Sequence, residues 1–254
     1  MDTGKLMTAT KDQAAYLEPT NYVDSDHPAV QALAQKYLQA AESDAPEARA
    51  IALFEGVRDG FRYDPYLVTL DPDTYRASHV AGQSASYCVP KAILLTALAR
   101  AAGIPAAAGF ADVRNHLNSP KLRAVMGTDL FIYHGYSALW LEDRFVKVTP
   151  AFNIELCERF GVKPLSFDGQ NDALFHEFDT SNRRHMEYVN DRGIFVDPPI
   201  ELMLGEFDAT YPAMTELIRS HGSLDAVDVA FHGKETKTGS GEGRQRAGAE
   251  SDSP

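Results

Sequence analysis

The chain has 254 residues, of which 44% are hydrophobic, enough to build one large domain or two small ones. Its 36 acidic and 24 basic residues give a net charge of −12, and this charge repels a phosphate backbone, so we expect no nucleic-acid partner. No apolar run approaches the roughly 20 residues that cross a bilayer, and the N-terminus lacks the apolar core of a signal peptide. The sequence therefore predicts a cytoplasmic protein without a membrane segment.

The residue types that mark cofactor sites are present, but without the spacing that such sites need. The two cysteines, Cys88 and Cys157, are too few for a disulfide framework and form no CxxC pair. The eight histidines show no HExxH or HxH spacing, and the glycines form neither a GxGxxG motif nor a P-loop. The sequence predicts no metal site and no cofactor.

The N-terminal part of the chain has the pattern of two amphipathic helices. Apolar residues recur at helical spacing over residues 29–38, with Asp26 as the expected N-cap and Pro28 in the first turn. The same spacing continues over residues 46–61 and predicts a second helix. Residues 62–70 are aromatic and interrupted by proline, so we expect a loop there.

The most hydrophobic helix of the chain follows a turn-like stretch at residues 82–87. From Cys88 the sequence reads CVPKAILLTALARAAG, with Pro90 suited to the first turn and Gly103 to the end. Because its apolar residues are so dense, we expect this helix to lie at the centre of the fold.

Strand patterns dominate the next part of the chain. Residues 106–113 and the aromatic stretch at 131–141 predict two strands, separated by a polar excursion. A turn at Glu142 and Asp143, followed by FVKVT, predicts a hairpin. Helices followed by antiparallel strands indicate an α+β fold.

The C-terminal part gives weaker signals. Short helices are predicted at residues 153–160, 201–204 and 214–219, and residues 164–199 show no periodicity, so we expect irregular cover over the core. The tail at residues 233–254 has too little apolar content to fold and is predicted to be disordered.

Cys88 is placed where cysteine chemistry is favoured. At a helix N-terminus, unpaired amide N–H groups and the helix dipole stabilise negative charge, which lowers the pKa of a thiol. A general base would complete an activated nucleophile, and His134, in a predicted strand and followed by Gly135, is the best candidate. If the two side chains meet, they form the thiolate–imidazolium pair of cysteine acyl-transfer enzymes.

Two blocks of the sequence resemble the transglutaminase-like superfamily. In that family a cysteine opens a central helix that ends in Arg, Gly, Ile and Pro before the first core strand. The stretch YCVPKAILLTALARAAGIPAAAGFADV matches this pattern with Cys88, Arg100, Gly103, Ile104 and Pro105. A second family block, a histidine in an aromatic strand followed by a hairpin, matches HGYSALWLEDRFVKVTP, which begins at His134.

The resemblance covers about residues 16–153 and implies a papain-like core, in which the central helix carrying Cys88 packs on an antiparallel sheet carrying His134. With residues 154–232 as an irregular extension, we expect a single domain over residues 1–232. The family's third catalytic residue, an aspartate before proline, aligns with Thr149, which cannot supply a negative charge.

Three residues compete for this third role of orienting His134. A two-residue hairpin loop would pair Tyr136 with Thr149 and so place Thr149 one diagonal from His134, on the same face. Asn153 follows shortly after, and an asparagine orients the histidine in papain-like proteases. Asp112, near the end of the preceding strand, is the third possibility.

The remaining candidates concern the oxyanion and the substrate. The backbone N–H of Cys88 is the expected first oxyanion donor, and Gln83 could add a side-chain amide, unless it is an ordinary solvated loop residue. Tyr87 and Tyr136 are candidates for the wall of the site. Cys157 has the spacing of a core residue.

The resemblance implies a cysteine enzyme that attacks a peptide or amide carbonyl through Cys88, with His134 as the base. A thioester acyl-enzyme would form and would be resolved by water or by an amine. The missing aspartate at Thr149 supports an alternative, a binding or scaffolding domain that has lost catalysis. The sequence does not indicate the oligomeric state.

Overall fold

The computed structural model describes residues 13–115, 120–174, 186–222 and 224. The predictions for the tail at residues 233–254 concern residues outside these ranges. Within them, no helix combines the length and the apolar composition that crossing a bilayer requires.

The described residues form α-helices and strands in mixed order. The α-helices are α1 (Pro28–Leu38), α2 (Pro46–Gly60), α3 (Ala77–Ala81), α4 (Cys88–Ala101), α5 (Pro120–Met126), α6 (Ile154–Phe160), α7 (Ile200–Thr210) and α8 (Pro212–His221). The strands are β1 (Arg62–Tyr63), β2 (Ala85–Ser86), β3 (Ala106–Asn115), β4 (Leu130–Leu141), β5 (Arg144–Val148) and β6 (Met186–Phe195).

The predicted start of α1 is off by one residue at its cap. Pro28 occupies the first turn as expected, because its missing N–H would have no partner there. The N-cap, however, is His27 and not Asp26: the His27 Nδ1 accepts a hydrogen bond from the Ala29 N–H at 3.2 Å.

Helix α4 is the centre of the fold, as its composition predicts. Every residue from Cys88 to Arg100 is buried, which only a helix enclosed on all sides can achieve. Helices α1, α2 and α3 pack against it on one side, and strands β3 and β4 on the other. Gly103 follows its end with φ of 75°, a conformation that glycine adopts without strain.

A four-stranded antiparallel sheet in the order β5-β4-β3-β6 receives α4. The fold is therefore α+β, with the helix that carries Cys88 packed on the sheet that carries His134, as predicted. The short strands β1 and β2 form a separate parallel pair.

The β4–β5 hairpin has the predicted two-residue loop. Leu141 pairs with Arg144 and Ser137 pairs with Val148. Glu142 and Asp143 take φ of 46° and 63°, which are the left-handed conformations of a type I′ turn. This loop fixes which side chains of β4 and β5 share a face.

Three segments differ from the prediction. Residues 62–70 contain β1 and a 3-10 helix instead of being loop throughout, and the polar excursion before β4 contains α5. The segment predicted as irregular cover contains β6, an edge strand whose pairing with β3 shifts register twice. Bulges and polar edge residues break the period-2 pattern, so the strand left no clear signal in the sequence.

Candidate functional site

Cys88 is the first residue of α4, and backbone N–H groups at this helix terminus lie near its sulfur. Tyr87 is the N-cap and makes no side-chain capping bond, so the first N–H groups of the helix are not taken by a capping side chain. The backbone N–H groups of Gly135, Val89 and Cys88 act on the sulfur, and each favours the thiolate.

Burial outweighs these amides. Cys88 is only 8% exposed. Removing the thiolate from water raises the pKa of Cys88 to about 11, although the amides and the charge of Lys91 act in the opposite direction. The sequence-based expectation of a lowered thiol pKa is therefore wrong for the protein without substrate, because the helix terminus is enclosed by the sheet and lies away from solvent.

Gly135 lets β4 lie directly against the start of α4. A Cβ on Gly135 would sit 2.8 Å from the Cα of Val89 and 2.9 Å from the carbonyl oxygen of Cys88, closer than real Cβ atoms approach. The bare backbone of this glycine therefore allows the residue after His134 to touch the residue that carries the thiol.

His134 and Cys88 meet at one cavity. His134 is buried at 6% exposure on β4. A narrow cavity of about 50 Å³ is lined by Tyr87, Cys88 and His134 together with apolar side chains from β4, α7 and α8. Of the residues predicted to form the site, the structure brings these three to the same cavity.

The backbone just before His134 is unusual and held by polar contacts. Tyr133 has φ of 57°, and its N–H donates to Asp112 Oδ1 at 3.1 Å. Asp112 also accepts from Arg192 Nε at 2.6 Å, and Arg192 Nη1 donates to Glu206 at 2.7 Å. Asp112 thus holds the strand next to His134.

Thr149 lies where the hairpin register predicts. Extending the Ser137–Val148 pair by one residue sets Thr149 opposite Tyr136, one diagonal from His134. Thr149 is 3% exposed, and its Oγ1 is buried without a hydrogen-bond partner in the part of the chain that the structure describes. A buried hydroxyl left in this way costs about 1–3 kcal/mol.

Asn153 and Gln83 lie away from the Cys88 cavity. Asn153 is buried, and its Oδ1 accepts from the Tyr63 N–H at 3.0 Å, which ties the end of β1 to the start of α6. Gln83 is exposed, with Nε2 3.4 Å from His79 Nε2. Neither is among the described residues that line the cavity.

The two tyrosines predicted for the site lie in different places. The Tyr87 hydroxyl donates to the Tyr75 hydroxyl at 2.7 Å, and Tyr87 lines the Cys88 cavity. Tyr136 packs its ring over Gly109, where a Cβ would lie 2.1 Å from a ring carbon, and its hydroxyl donates to Asp191 at 3.0 Å. Tyr136 is not among the described residues that line the Cys88 cavity.

Lys91 is the neighbour of Cys88 that sequence reasoning missed. It lies one helical turn after Cys88, is fully buried, and donates from Nζ to the carbonyl oxygens of Arg58, Phe61 and Ala151 at 2.8, 2.7 and 2.9 Å. Burial lowers the pKa of Lys91 to about 7. A lysine in the first turns of a helix made mostly of apolar residues was the available signal.

The described residues offer no obvious metal centre. Over residues 13–115, 120–174 and 186–222, no group of three or more His, Cys, Asp or Glu side chains is placed to hold a metal ion. The residues that line the Cys88 cavity include a cysteine, a histidine and several tyrosines.

Comparisons with known proteins point to a family for the part of the chain that carries Cys88 and His134. The transglutaminase-like superfamily model matches residues 31–150. A search of curated proteins finds no match. Among solved structures, the chain is similar to a candidate cysteine protease from Cytophaga hutchinsonii, with a TM-score of 0.42 and 17% sequence identity; the match covers 74% of this chain and 54% of that chain. The chain thus spans about half the length of that protein.

Proposed function

Because the model of the transglutaminase-like superfamily matches residues 31–150, we propose that the protein is a cysteine-dependent acyl-transfer enzyme. Cys88 is the nucleophile and His134 is the general base. The observation that carries this proposal is that a cysteine at the start of a central helix and a histidine on the adjacent strand line one cavity.

The reaction begins with the attack of the Cys88 sulfur on the carbonyl carbon of an amide. The thiol proton passes to His134 as the sulfur–carbon bond forms, and the carbonyl oxygen becomes an oxyanion. When the carbon–nitrogen bond breaks, His134 returns the proton to the leaving amine, and a thioester remains on Cys88. Water, activated by His134, then releases the acid; an attacking amine would give a new amide.

A neutral resting thiol is compatible with this sequence of steps. Since burial disfavours an isolated thiolate at Cys88, the proton moves during the attack and not before it. The charge then resides on the oxyanion, for which the N–H of Cys88 at the start of α4 is the proposed donor.

The orientation of His134 falls to groups other than a family aspartate. Thr149 occupies the matching position but its hydroxyl bonds to no described group. Asp112 acts on His134 indirectly, by accepting a hydrogen bond from the backbone N–H of the preceding residue, Tyr133. We assign Asp112 the role of positioning the strand that carries His134, and we assign Thr149 no hydrogen bond to the imidazole.

Hydrolysis of a peptide or another amide is the preferred outcome, with transfer to an amine as the variant of the same chemistry. A second candidate function is a binding domain that has lost catalysis. Two observations favour it: threonine stands in the place of aspartate, and Cys88 is a buried, neutral thiol.

The proposal is tested by trapping the acyl-enzyme. With p-nitrophenyl acetate as an activated acyl donor, intact-protein and peptide mass spectrometry should locate an acetyl thioester on Cys88. Cys157 is the internal control, since burial also raises its pKa to about 11 but it lacks a cavity shared with His134. We expect no acetylation in Cys88→Ala. Equal acetylation of both cysteines in the wild-type protein would contradict the proposal and favour the binding domain.

A further inference from the structure

A second cavity opens beside the one at Cys88. It measures about 320 Å³ and lies between the β1 region, the start of α5 and helix α6. Tyr63, Pro65, Leu122 and Phe131 line both cavities. An occupant of the larger cavity would therefore contact the same side chains that enclose the thiol.

Five aromatic side chains line the larger cavity. They come from separate parts of the chain: Tyr63, Tyr66, Phe131, Phe152 and Phe160. Tyr63 and Phe152 meet edge to face, with their ring centroids 4.7 Å apart. Phe160 is 53% exposed although it is a large apolar residue. Such walls gain most from an aromatic occupant, since ring pairs add to the burial of apolar area.

The charges at this cavity differ in sign from those of the whole molecule. Arg62, Asp64 and Arg159 line it, so its charged lining is net positive on a chain of net charge −12. Arg62 lies 3.4 Å from Asp64, whereas Arg159 forms no ion pair with any described residue. A cationic occupant is disfavoured there, and a neutral or acidic one is favoured.

The size of the cavity limits what can fill it. Sites for whole small-molecule ligands span about 300–1,000 Å³, and this cavity, at about 320 Å³, lies at the small end of that range. Its volume therefore suits one large side chain and not a long peptide segment. We propose that this cavity, the aromatic pocket, binds an aromatic side chain of the acyl donor, on the residue that supplies the reacting carbonyl. The assignment rests on the proposed function, since it takes Cys88 as the attacking group.

The test compares the rates at which three chloromethyl ketones modify Cys88. The probes are acetylated phenylalanine, alanine and lysine chloromethyl ketone. In each case the Cys88 sulfur bonds to the methylene carbon, the carbon–chlorine bond breaks, chloride leaves with the electron pair, and the thiol proton passes through His134 to solvent. We expect the phenylalanine probe to react at least about tenfold faster than the alanine probe, because its ring is removed from water. The lysine probe should show no such gain.

Two matched variants locate the effect. Leu156→Trp fills the aromatic pocket from α6, and the phenylalanine-to-alanine rate ratio should fall toward one. Leu202→Trp makes the same change on α7 at a residue that is 60% exposed, and the ratio should stay as in the wild-type protein.

The outcomes separate the two proposals. A ratio near one in the wild-type protein, a lysine probe as fast as the phenylalanine probe, or equal effects of the two tryptophan variants would overturn the aromatic pocket while leaving Cys88 as the nucleophile. If no probe modifies Cys88 in the folded protein, although iodoacetamide modifies it in the unfolded chain, the proposed function fails and the role of the pocket fails with it.

Discussion

At the scale of single residues, opposing effects act on Cys88. Backbone N–H groups and the buried Lys91 ammonium favour the thiolate, and desolvation disfavours it by more. The helix N-terminus could be found from the sequence because Pro90 and the apolar run mark it. The burial of this helix terminus could not be predicted from the sequence, because the strand that covers the terminus lies more than forty residues further along the chain.

The site residues were predictable to different degrees, because some are marked by local sequence patterns and others depend on contacts with distant segments. Cys88 and His134 stand in recognisable local patterns, and the structure places both at one cavity. Asn153 was a candidate because an asparagine orients the histidine in papain-like proteases, and Gln83 because its side-chain amide could serve the oxyanion. The structure engages them elsewhere, with the backbone of Tyr63 and with His79. Side-chain partners of this kind depend on the folded arrangement of distant segments.

Thr149 supports a prediction about stability. Because its Oγ1 is buried without a described partner, Thr149→Val should leave the free energy of unfolding unchanged or raise it by about 1 kcal/mol. Thr215→Val is the matched control: Thr215 is fully buried and its hydroxyl bonds Asp208 at 2.8 Å, so this change should cost about 1–2 kcal/mol. Urea unfolding of the two variants gives both numbers.

A loss in Thr149→Val as large as that in Thr215→Val would mean that the Thr149 hydroxyl has a partner after all. If stability is retained, any change in the rate of Cys88 acetylation reports the effect of Thr149 on His134 and not a general weakening of the fold.

At the scale of elements, the contact between α4 and β4 determines the site. Ser137 Oγ donates to the carbonyl oxygen of Ala92 at 2.8 Å, and Gly135 touches the backbone at Cys88 and Val89. The register of β4 therefore places His134 relative to the first turn of α4. The hairpin loop, in turn, fixes the register of β5 against β4.

Gly135→Ala should disturb this contact. Its Cβ would meet backbone atoms that cannot rotate away, so the helix and the strand must separate, at a cost of about 1–3 kcal/mol and with slower acetylation of Cys88. Gly205→Ala is the control: on α7 a Cβ meets nothing within 4 Å, and a helical glycine replaced by alanine should gain up to about 1 kcal/mol. Denaturant unfolding measures both. Wild-type stability in Gly135→Ala would show that α4 and β4 are not in close contact.

The elements that the sequence predicted well are those with a regular period or a clear terminator. Helix α4 and the β4–β5 hairpin are of this kind. Strand β6 is not, since Asn190, Asp191 and Arg192 make polar contacts at the sheet edge and Gly193 has φ of 90°. Helix α5 was not predicted either, because it is short and stands in a polar stretch of the sequence.

At the scale of the whole molecule, two buried cations connect segments that are far apart in the chain. Lys91 joins the end of α2 to Ala151 after β5. Arg100 donates to the carbonyl oxygens of Glu18, Ala106 and Val196. Both lie on α4, so this helix holds the N-terminal segment, the helical layer and the sheet together.

The polar contacts around Asp112 extend this arrangement to the C-terminal part of the chain. Arg192 of β6 lies 4.0 Å from the ring centroid of Tyr133 and bonds both Asp112 and Glu206 of α7. The segment that the sequence left as irregular cover thus supports the backbone next to His134.

The measurement that most directly tests the central claim is the pH dependence of Cys88 acetylation by p-nitrophenyl acetate, in the wild-type protein and in His134→Gln. If His134 accepts the proton during attack, the wild-type rate should rise with pH as the imidazole becomes neutral, and should level off before the thiol itself ionises. His134→Gln should lose this limb and rise only as the thiol itself ionises, at about pH 11. If the two proteins share one profile, His134 is not the base and the proposed enzyme mechanism is wrong.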